Sequence, residues 1–174
     1  MVSIAFLASC SSNDNDTTES DSSEIPSALT DNSWTVNEED FITAVTFGNA
    51  EAVQYMLEQG IDPDTHDSVD RPAMYAAITM DNDDVVTLLI EYGADVAYTN
   101  EYGVNYIYFA SINHQANPTI QALIDGGVDL YYELNGSNSL DVVLGQLNAY
   151  GETENGDWQR VADLLTSQGL TPAK

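Results

Sequence analysis

The chain has very few basic residues: 3 Lys and Arg among 174 residues, against 29 Asp and Glu, which gives a formal net charge of −26. A field of this sign repels phosphate backbones and anionic lipid headgroups, so nucleic acid and anionic membrane surfaces are excluded as binding targets. The acidity favours solubility, and it would also attract a partner with a basic surface. Both interpretations stay open.

The sequence also lacks the residues on which nucleophilic catalysis depends. Its two histidines, His66 and His114, lie in or beside predicted turns, and its one cysteine is Cys10. An activated nucleophile needs a neighbouring base, and the motifs of phosphate-binding loops, nucleophile elbows and His-Glu-x-x-His zinc sites are absent. We therefore predict that the protein is not an enzyme and holds no cofactor.

No apolar run reaches the roughly 18 residues that a membrane-spanning helix needs. The first ten residues nevertheless end in Leu7-Ala8-Ser9-Cys10, which resembles a bacterial lipobox. In such a motif the cysteine sulfur takes a diacylglycerol and the cysteine becomes the mature N-terminus. We predict a signal peptide over residues 1–9 and a lipid anchor at Cys10 as the only membrane attachment. A buried or free thiol in a short strand is the alternative for Cys10.

The predicted signal segment departs from the usual pattern in two ways. It is shorter than the roughly 15 to 30 residues of most signal peptides, and it carries no basic residue, which leaves a start further upstream open. Ser11 follows the cysteine where an Asp could stand, and lipoproteins of that kind are sorted to the outer membrane, facing the periplasm or the cell surface. The polar, acidic residues that follow predict a disordered tether over residues 10–36.

A self-similar unit recurs about every 33 residues. Each unit closes with a Gly-x-Asp triplet, at Gly60, Gly93 and Gly127. Before each triplet, apolar residues fall at positions i, i+3 and i+4, which places them on one helical face. These triads are Val53/Met56/Leu57, Val86/Leu89/Ile90 and Ile120/Leu123/Ile124. One unit cannot bury its apolar face alone, so the period predicts a stack with a long concave surface.

Capping residues predict where the helices of each unit begin and end. Asn49, Asn82 and Asn117 suit N-caps, and the three closing glycines suit left-handed C-caps. Ahead of the first unit, Asn37 and Asp40 resemble a capping box, which places the start of the folded domain near residue 37. In the same region Val36 could pack on Phe41 as a hydrophobic staple, and Trp34 could fold over the first helix.

These features together resemble the ankyrin repeat, whose unit runs Asp-x-x-Gly-x-Thr-Pro-Leu-His-x-Ala, then a second helix and Gly-Ala-Asp. The match is clearest over residues 67–77 and 100–110. The resemblance implies an all-α solenoid of about four helix-turn-helix units with short β-turn tips. Its domain would span residues 37–174, with repeats at about 37–60, 61–93, 94–127 and 128–170.

The chain departs from the family pattern in two places. No unit has an intact Thr-Pro-Leu-His segment, so the side chains that tie neighbouring turns together in the family are missing, and we expect a less stable stack. The fourth unit is also longer than the period, and we expect its excess in a protruding loop over residues 148–157.

An acidic cluster at the second turn deserves a separate interpretation, because carboxylates at alternating positions could hold Ca²⁺. Its residues are Asp62, Asp64, His66, Asp67 and Asp70. The cluster lacks the glycine and the distal glutamate of an EF-hand loop. An exposed polar turn is the simpler interpretation, and we predict no dedicated metal site.

In ankyrin-repeat proteins, partners contact the turn tips and the exposed positions of the first helices. Carried onto this chain, the resemblance implies a monomer that binds a protein partner through exposed apolar groups on an acidic rim. The implied residues are Phe47, His66, Val69, Arg71, Met80, Glu101, Tyr102, Val104, Asn113 and Tyr132. Packing between repeats is the alternative for each of the large side chains.

Two functions stay open at this point. The first is a lipid-anchored interaction module of the bacterial cell envelope that binds a protein partner on its concave face. Similar small ankyrin lipoproteins suggest an immunity or inhibitor role, or support of an envelope enzyme. The second is an acidic structural lipoprotein of the cell surface that binds cations weakly and has no dedicated concave-face partner.

Overall fold

The computed structural model describes residues 25–112, 117–151 and 157–173. The predicted lipidation residue Cys10 and the predicted contact residue Asn113 lie outside these ranges. Within them the chain forms nine helices and isolated β-bridges. The helices are α1 Ser27–Asn32, α2 Glu38–Thr46, α3 Ala50–Glu58, α4 Ala73–Thr79, α5 Asp83–Glu91, α6 Tyr106–Ile112, α7 Asn117–Asp125, α8 Ser139–Tyr150 and α9 Asp157–Ser167. No helix in the described ranges combines the length and apolar character needed to cross a bilayer.

The helices from α2 onward form four pairs that stack in chain order. The first helices of successive pairs (α2, α4, α6, α8) contact one another, and so do the second helices (α3, α5, α7, α9). The two rows form two layers, and turns project from the row of first helices. The predicted all-α solenoid of about four helix pairs is confirmed.

The apolar triads of the second helices form the core between the layers. In α3, Val53 and Met56 are fully buried, and Leu89 of α5 and Leu123 of α7 are buried in the same way. The small residues of the first helices, such as Ala77, let neighbouring pairs approach closely. Burial of about 25 cal/mol per Å² of apolar surface makes this repeated contact the main stabilising term of the stack.

Asn82 lies at the N-cap position of α5, as predicted, but its side chain does not cap the helix. Its side-chain amide donates to the carbonyl oxygens of Val45 (2.9 Å) and Thr46 (3.3 Å) in the preceding pair. Gly48 makes room for this contact, because a Cβ there would lie 2.4 Å from Asn82 Oδ1 and its φ is +68°. At the equivalent position of α3, Asn49 does cap the helix by accepting from the Ala52 amide.

The N-terminal end of the stack carries a short extra helix. The side chain of Leu29 in α1 is only 2% exposed, and α1 packs on α3. The prediction of disorder as far as residue 36 is therefore wrong from residue 27 onward. The few apolar residues there obtain their burial from a distant helix, which a local count of apolar residues does not include. Trp34 packs beside the first pair as predicted, with its ring 6.3 Å from that of Phe47.

The entry to α2 is built around Asp40. The Asn37 side chain caps α2 by accepting from the Asp40 amide at 2.9 Å, as predicted. The Asp40 carboxylate, however, accepts from the backbone and hydroxyl of Thr35. The hydrogen bond from the Thr35 backbone holds the pKa of Asp40 below its usual value. Val36 stays 42% exposed, so a hydrophobic staple buries little of it.

The fourth pair differs from the others in its first helix and its C-terminal end. Helix α8 has 12 residues, whereas α4 and α6 have 7 each, so part of the predicted loop from Asn148 is helix. After α9, Leu170 is buried, and the Asn138 side-chain amide donates to the Thr171 carbonyl at 2.8 Å. The Ala173 amide donates to Asp141 Oδ2 at 3.1 Å. The C-terminal segment thus packs against the start of α8.

Candidate functional site

Two turns with the same construction project from the stack, 33 residues apart. In the second turn, Asp67 Oδ1 accepts from the amides of Val69 (2.9 Å) and Arg71 (3.0 Å). In the third turn, Asn100 Oδ1 accepts from the amides two and four residues further on, at 3.0 and 2.9 Å. One β-bridge closes each turn, between His66 and Pro72 and between Thr99 and Asn105. The two turns therefore share one backbone construction.

Tyrosine hydroxyls tie neighbouring turns together. Tyr75 donates to the Val104 carbonyl at 3.1 Å, and Tyr132 donates to the Gly103 carbonyl. The Asp64 carboxylate accepts from the Asp95 amide at 2.9 Å. The Thr and His side chains that make such ties in the family are absent, as predicted, but other side chains tie the turns here, and the lower stability of the stack stays a prediction. Tyr75 makes its tie from the position of the motif histidine, whereas Asp64 and Tyr132 lie outside the motif.

A cavity of about 400 Å³ lies between the second and third turns, and we call it the tip cavity. Tyrosine rings and carboxylates from both turns surround it. Its lining residues are Val69, Asp70, Arg71, Pro72, Tyr75, Tyr98, Asn100, Glu101 and Tyr102. Four of the predicted contact residues, Val69, Arg71, Glu101 and Tyr102, thus come together in one cavity.

A second cavity of about 280 Å³ lies beside the tip cavity, and we call it the helix cavity. It is formed by first helices α2, α4 and α6 and is more apolar than the tip cavity. Its lining residues are Ile42, Thr46, Asp67, Arg71, Tyr75, Ala76, Thr79, Met80 and Phe109. The two cavities share the lining residues Arg71 and Tyr75, so they adjoin one another, and we call the two together the groove.

Tyr75 is the centre of an aromatic cluster beneath the groove. Its ring centroid lies 4.3 Å from that of Phe109, 5.3 Å from that of Tyr106 and 6.2 Å from that of Tyr98. Burial raises the pKa of Tyr75 to about 12, and the neighbouring Tyr98 adds to the shift. The Tyr75 hydroxyl therefore stays protonated near neutral pH and keeps donating to the Val104 carbonyl.

Tyr106 offers a contrast within the same cluster. Its side chain is 1% exposed, and its hydroxyl has no hydrogen-bond partner among the described residues. A buried hydroxyl without a partner is unfavourable, so Tyr106→Phe should raise the free energy of unfolding by about 1 kcal/mol. Tyr75→Phe should lower it by a similar amount, because a hydroxyl with a partner is lost. Urea unfolding with matched m-values measures both changes, and equal signs would contradict this interpretation.

The charges of the groove are arranged around one cation. The Arg71 guanidinium pairs with Asp67 Oδ2, through Nη2 at 2.7 Å and Nε at 2.9 Å. Burial alone would raise the pKa of Asp67, but hydrogen bonds from the Arg71 backbone and side chain outweigh it and lower the pKa. Asp70 and Glu101 add two further carboxylates at the tip cavity. The hydrogen bond between Tyr102 and Glu101 raises the pKa of the Tyr102 hydroxyl, and the negative charge of Glu101 raises it further.

The remaining predicted contact residues lie around the groove. Met80 lines the helix cavity, and the exposed ring of His66 meets Tyr98 edge to face at 6.2 Å. Val104 and Tyr132 are half-buried and take part in the ties between turns. Phe47 is 76% exposed as expected, but it stacks on Trp34 and lines neither cavity.

The sequence analysis identified Tyr102 but missed Tyr75 and Tyr98, which also line the tip cavity. Tyr98, Asn100 and Tyr102 alternate along the third turn, and all three line the tip cavity. This alternation was available as a signal, because alternate residues of an extended segment point to the same side. Tyr75 was hidden by its place in the degenerate family motif.

The acidic residues of the second turn have structural partners of their own. Asp62 Oδ1 accepts from the Asp64 amide, and Asp64 and Asp67 accept from backbone amides as described. In the described part of the chain, no three His, Cys, Asp or Glu side chains converge as ligands of a metal ion would. The cluster therefore stabilises the turns.

Comparison with known families finds a match to ankyrin repeats. The model for ankyrin repeats (3 copies) matches residues 41–134, which is more than half of the 174 residues. A search of curated protein sequences gives no match. The matched range contains the first three helix pairs apart from the first three residues of α2, together with both turns and the whole groove. Such repeats indicate a module for protein–protein interaction. The chain belongs to the ankyrin-repeat family.

Proposed function

We propose that the protein is a lipid-anchored module of the bacterial cell envelope that binds a protein partner in the groove, with an immunity or inhibitor role. The observation that carries the proposal is the groove itself, where side chains from three repeats line two adjoining cavities. Exposed apolar groups at its edge include Tyr102 at 74% and Met80 at 52%. Exposed aromatic side chains beside a pocket are typical hot spots of protein interfaces.

The alternative of an acidic structural lipoprotein with weak cation binding has less support. The carboxylates of Asp64 and Asp67 accept hydrogen bonds from backbone amides and from Arg71, which leaves them fewer lone pairs for a cation. No specific feature of the described residues favours that role over partner binding.

Capture of the native partner tests the binding proposal. The double variant Tyr102→Ala with Met80→Ala should lower affinity at least about 10-fold, since truncation of a hot spot typically costs about 2 kcal/mol. The control is Tyr131→Ala with Tyr150→Ala, because Tyr131 and Tyr150 are 67% and 80% exposed and line neither cavity. Pull-down from an envelope extract, with quantitative mass spectrometry, compares the two. Equal capture by both double variants would place the interface elsewhere.

The anchor has its own test. Cys10→Ala should move the protein from the membrane fraction to the soluble fraction and abolish incorporation of labelled palmitate, because the sulfur that would take the lipid is gone. Cys10→Ser, which also lacks the sulfur but keeps a polar side chain of similar size, is a second variant that should behave in the same way. A variant that stays in the membrane fraction would disprove the anchor without affecting the groove.

A further inference from the structure

We propose that the tip cavity takes a basic side chain, Lys or Arg, from the protein partner, while the helix cavity takes an apolar side chain from the same segment. This inference rests on the proposed partner binding and adds the chemistry of the segment that is bound. It follows from the lining of the two cavities, from the charge around them and from the composition of the chain.

The tip cavity has the two features that stabilise a cation. Tyr75, Tyr98 and Tyr102 surround it, and the face of an aromatic ring attracts a cation within about 6 Å. Asp70 and Glu101 add carboxylates that are exposed at the rim. An apolar side chain alone would leave both carboxylates without a complementary charge.

Arg71, the one cationic side chain that lines the tip cavity, already has its charge paired with a carboxylate. The Arg71 guanidinium is held by Asp67, and this pair is close to neutral as a unit. Asp70 and Glu101 therefore leave about two negative charges at the cavity, within a chain of net charge −26. Long-range attraction and local complementarity thus favour a ligand of the same sign.

The helix cavity differs in kind. Its apolar lining residues include Ile42, Met80 and Phe109, and its charged lining residues are the paired Asp67 and Arg71. Since Tyr75 and Arg71 line both cavities, the two lie side by side, and a short segment is long enough to place one side chain in each. The groove therefore fits a segment in which an apolar and a basic residue lie close together.

The chain itself is a poor source for such a segment. It has three basic residues, of which Arg71 lines the groove and Lys174 follows the segment that covers α8. Residues 1–36 contain no Lys or Arg, and a second copy would bring another net charge of −26. Electrostatic repulsion disfavours both, which leaves a different protein with an exposed basic segment as the occupant.

Synthetic peptides test the inference on the full chain. The panel consists of acetylated, amidated peptides that contain one Leu and one Arg separated by zero to three Gly or Ser residues. Each peptide has two counterparts, one with citrulline in place of Arg and one with Ser in place of Leu. Citrulline keeps the shape of the side chain and removes its charge. Chemical-shift titration of the isotope-labelled protein gives the dissociation constants and the residues that respond.

We expect an Arg peptide to shift the amides of the second and third turns and to bind about tenfold more tightly than its citrulline counterpart. Asp70→Asn with Glu101→Gln should remove most of that difference. Asn suits position 70, because its φ is +64° and Asn tolerates this conformation. Glu91→Gln with Asp125→Asn is the matched control, since these carboxylates line a separate cavity between the second helices α5 and α7. It should change the dissociation constants less than twofold.

Three results would overturn the inference: equal binding of the Arg and citrulline peptides, an equal effect of the two double variants, or no binding of any peptide at about 1 mM. If the Asp70 and Glu101 variant keeps full affinity for the native partner while the Tyr102 and Met80 variant loses it, the groove binds its partner without a basic anchor. If neither variant changes capture of the partner, the proposed interface fails as well.

Discussion

Tyr75→Ala is expected to lower the free energy of unfolding by about 3–5 kcal/mol, the range for truncation of a large buried aromatic side chain. The change removes a ring that contacts Tyr98, Tyr106 and Phe109, and it removes the donor to the Val104 carbonyl. The second and third repeats lose their main contact at the turns, because those partners all belong to the third repeat. Marginal stability makes a loss of this size a large share of the total for such a domain.

Tyr102→Ala is the matched control for this experiment. It also deletes a tyrosine side chain, but Tyr102 lies at the third turn and is 74% exposed, so its removal should change stability by less than about 0.5 kcal/mol. Thermal and urea unfolding followed by circular dichroism at 222 nm compare the two variants. A small effect of Tyr75→Ala would show that the aromatic cluster contributes little and that the second-helix layer alone holds these repeats together.

Asn138→Ala should lower the free energy of unfolding by about 2–4 kcal/mol. Asn138 caps α8 in a reciprocal capping box with Asp141, and loss of such a cap costs about 1 kcal/mol. Asn138 is buried, and its amide also donates to the Thr171 carbonyl; loss of a buried partner costs about 1–3 kcal/mol more. Release of the C-terminal segment should also speed hydrogen exchange at the Ala173 amide, which is bonded to Asp141.

Two further variants separate the cap from the attachment of the C-terminal segment. Asn49→Ala removes a cap alone, since Asn49 accepts from Ala52 in α3 and has no described contact with the C-terminus. Asn138→Ser keeps a good capping group but loses the amide donor, so it should fall between the other two. If Asn138→Ala costs no more than Asn49→Ala, the C-terminal segment does not stabilise the fold.

The fold could be predicted because its determinants are local and repeated. The spacing of Val53, Met56 and Leu57 recurs in α5 and α7, and three concordant units are enough to specify a stack. The closing glycine of each unit adopts positive φ as predicted, with Gly60 at +94° and Gly93 at +92°. Boundaries were less predictable: the burial of Leu29 depends on α3, and the extension of α8 to Tyr150 uses residues that suit a loop or a helix.

The groove was predictable only in part, for a physical reason. Residues at the tips, such as Val69 and Tyr102, were found because the resemblance gives their positions directly. The floor forms where two repeats meet, so its residues depend on which side chains reach across the gap. Tyr75 and Asn82 both act on carbonyl groups of a neighbouring repeat, and a local pattern contains no information about those acceptors.

The third turn has a consequence for how the array unfolds. Two adjacent carbonyls there, of Gly103 and Val104, accept hydroxyls from Tyr132 in the fourth repeat and from Tyr75 in the second. In a nearest-neighbour description of a repeat array, stability is a sum of intrinsic terms and coupling terms. Here the coupling of the second repeat to the third and the coupling of the third to the fourth both include a hydrogen bond to this one pair of peptide groups. Opening this turn therefore weakens both couplings at once, which favours a single concerted unfolding step over sequential loss of repeats from one end.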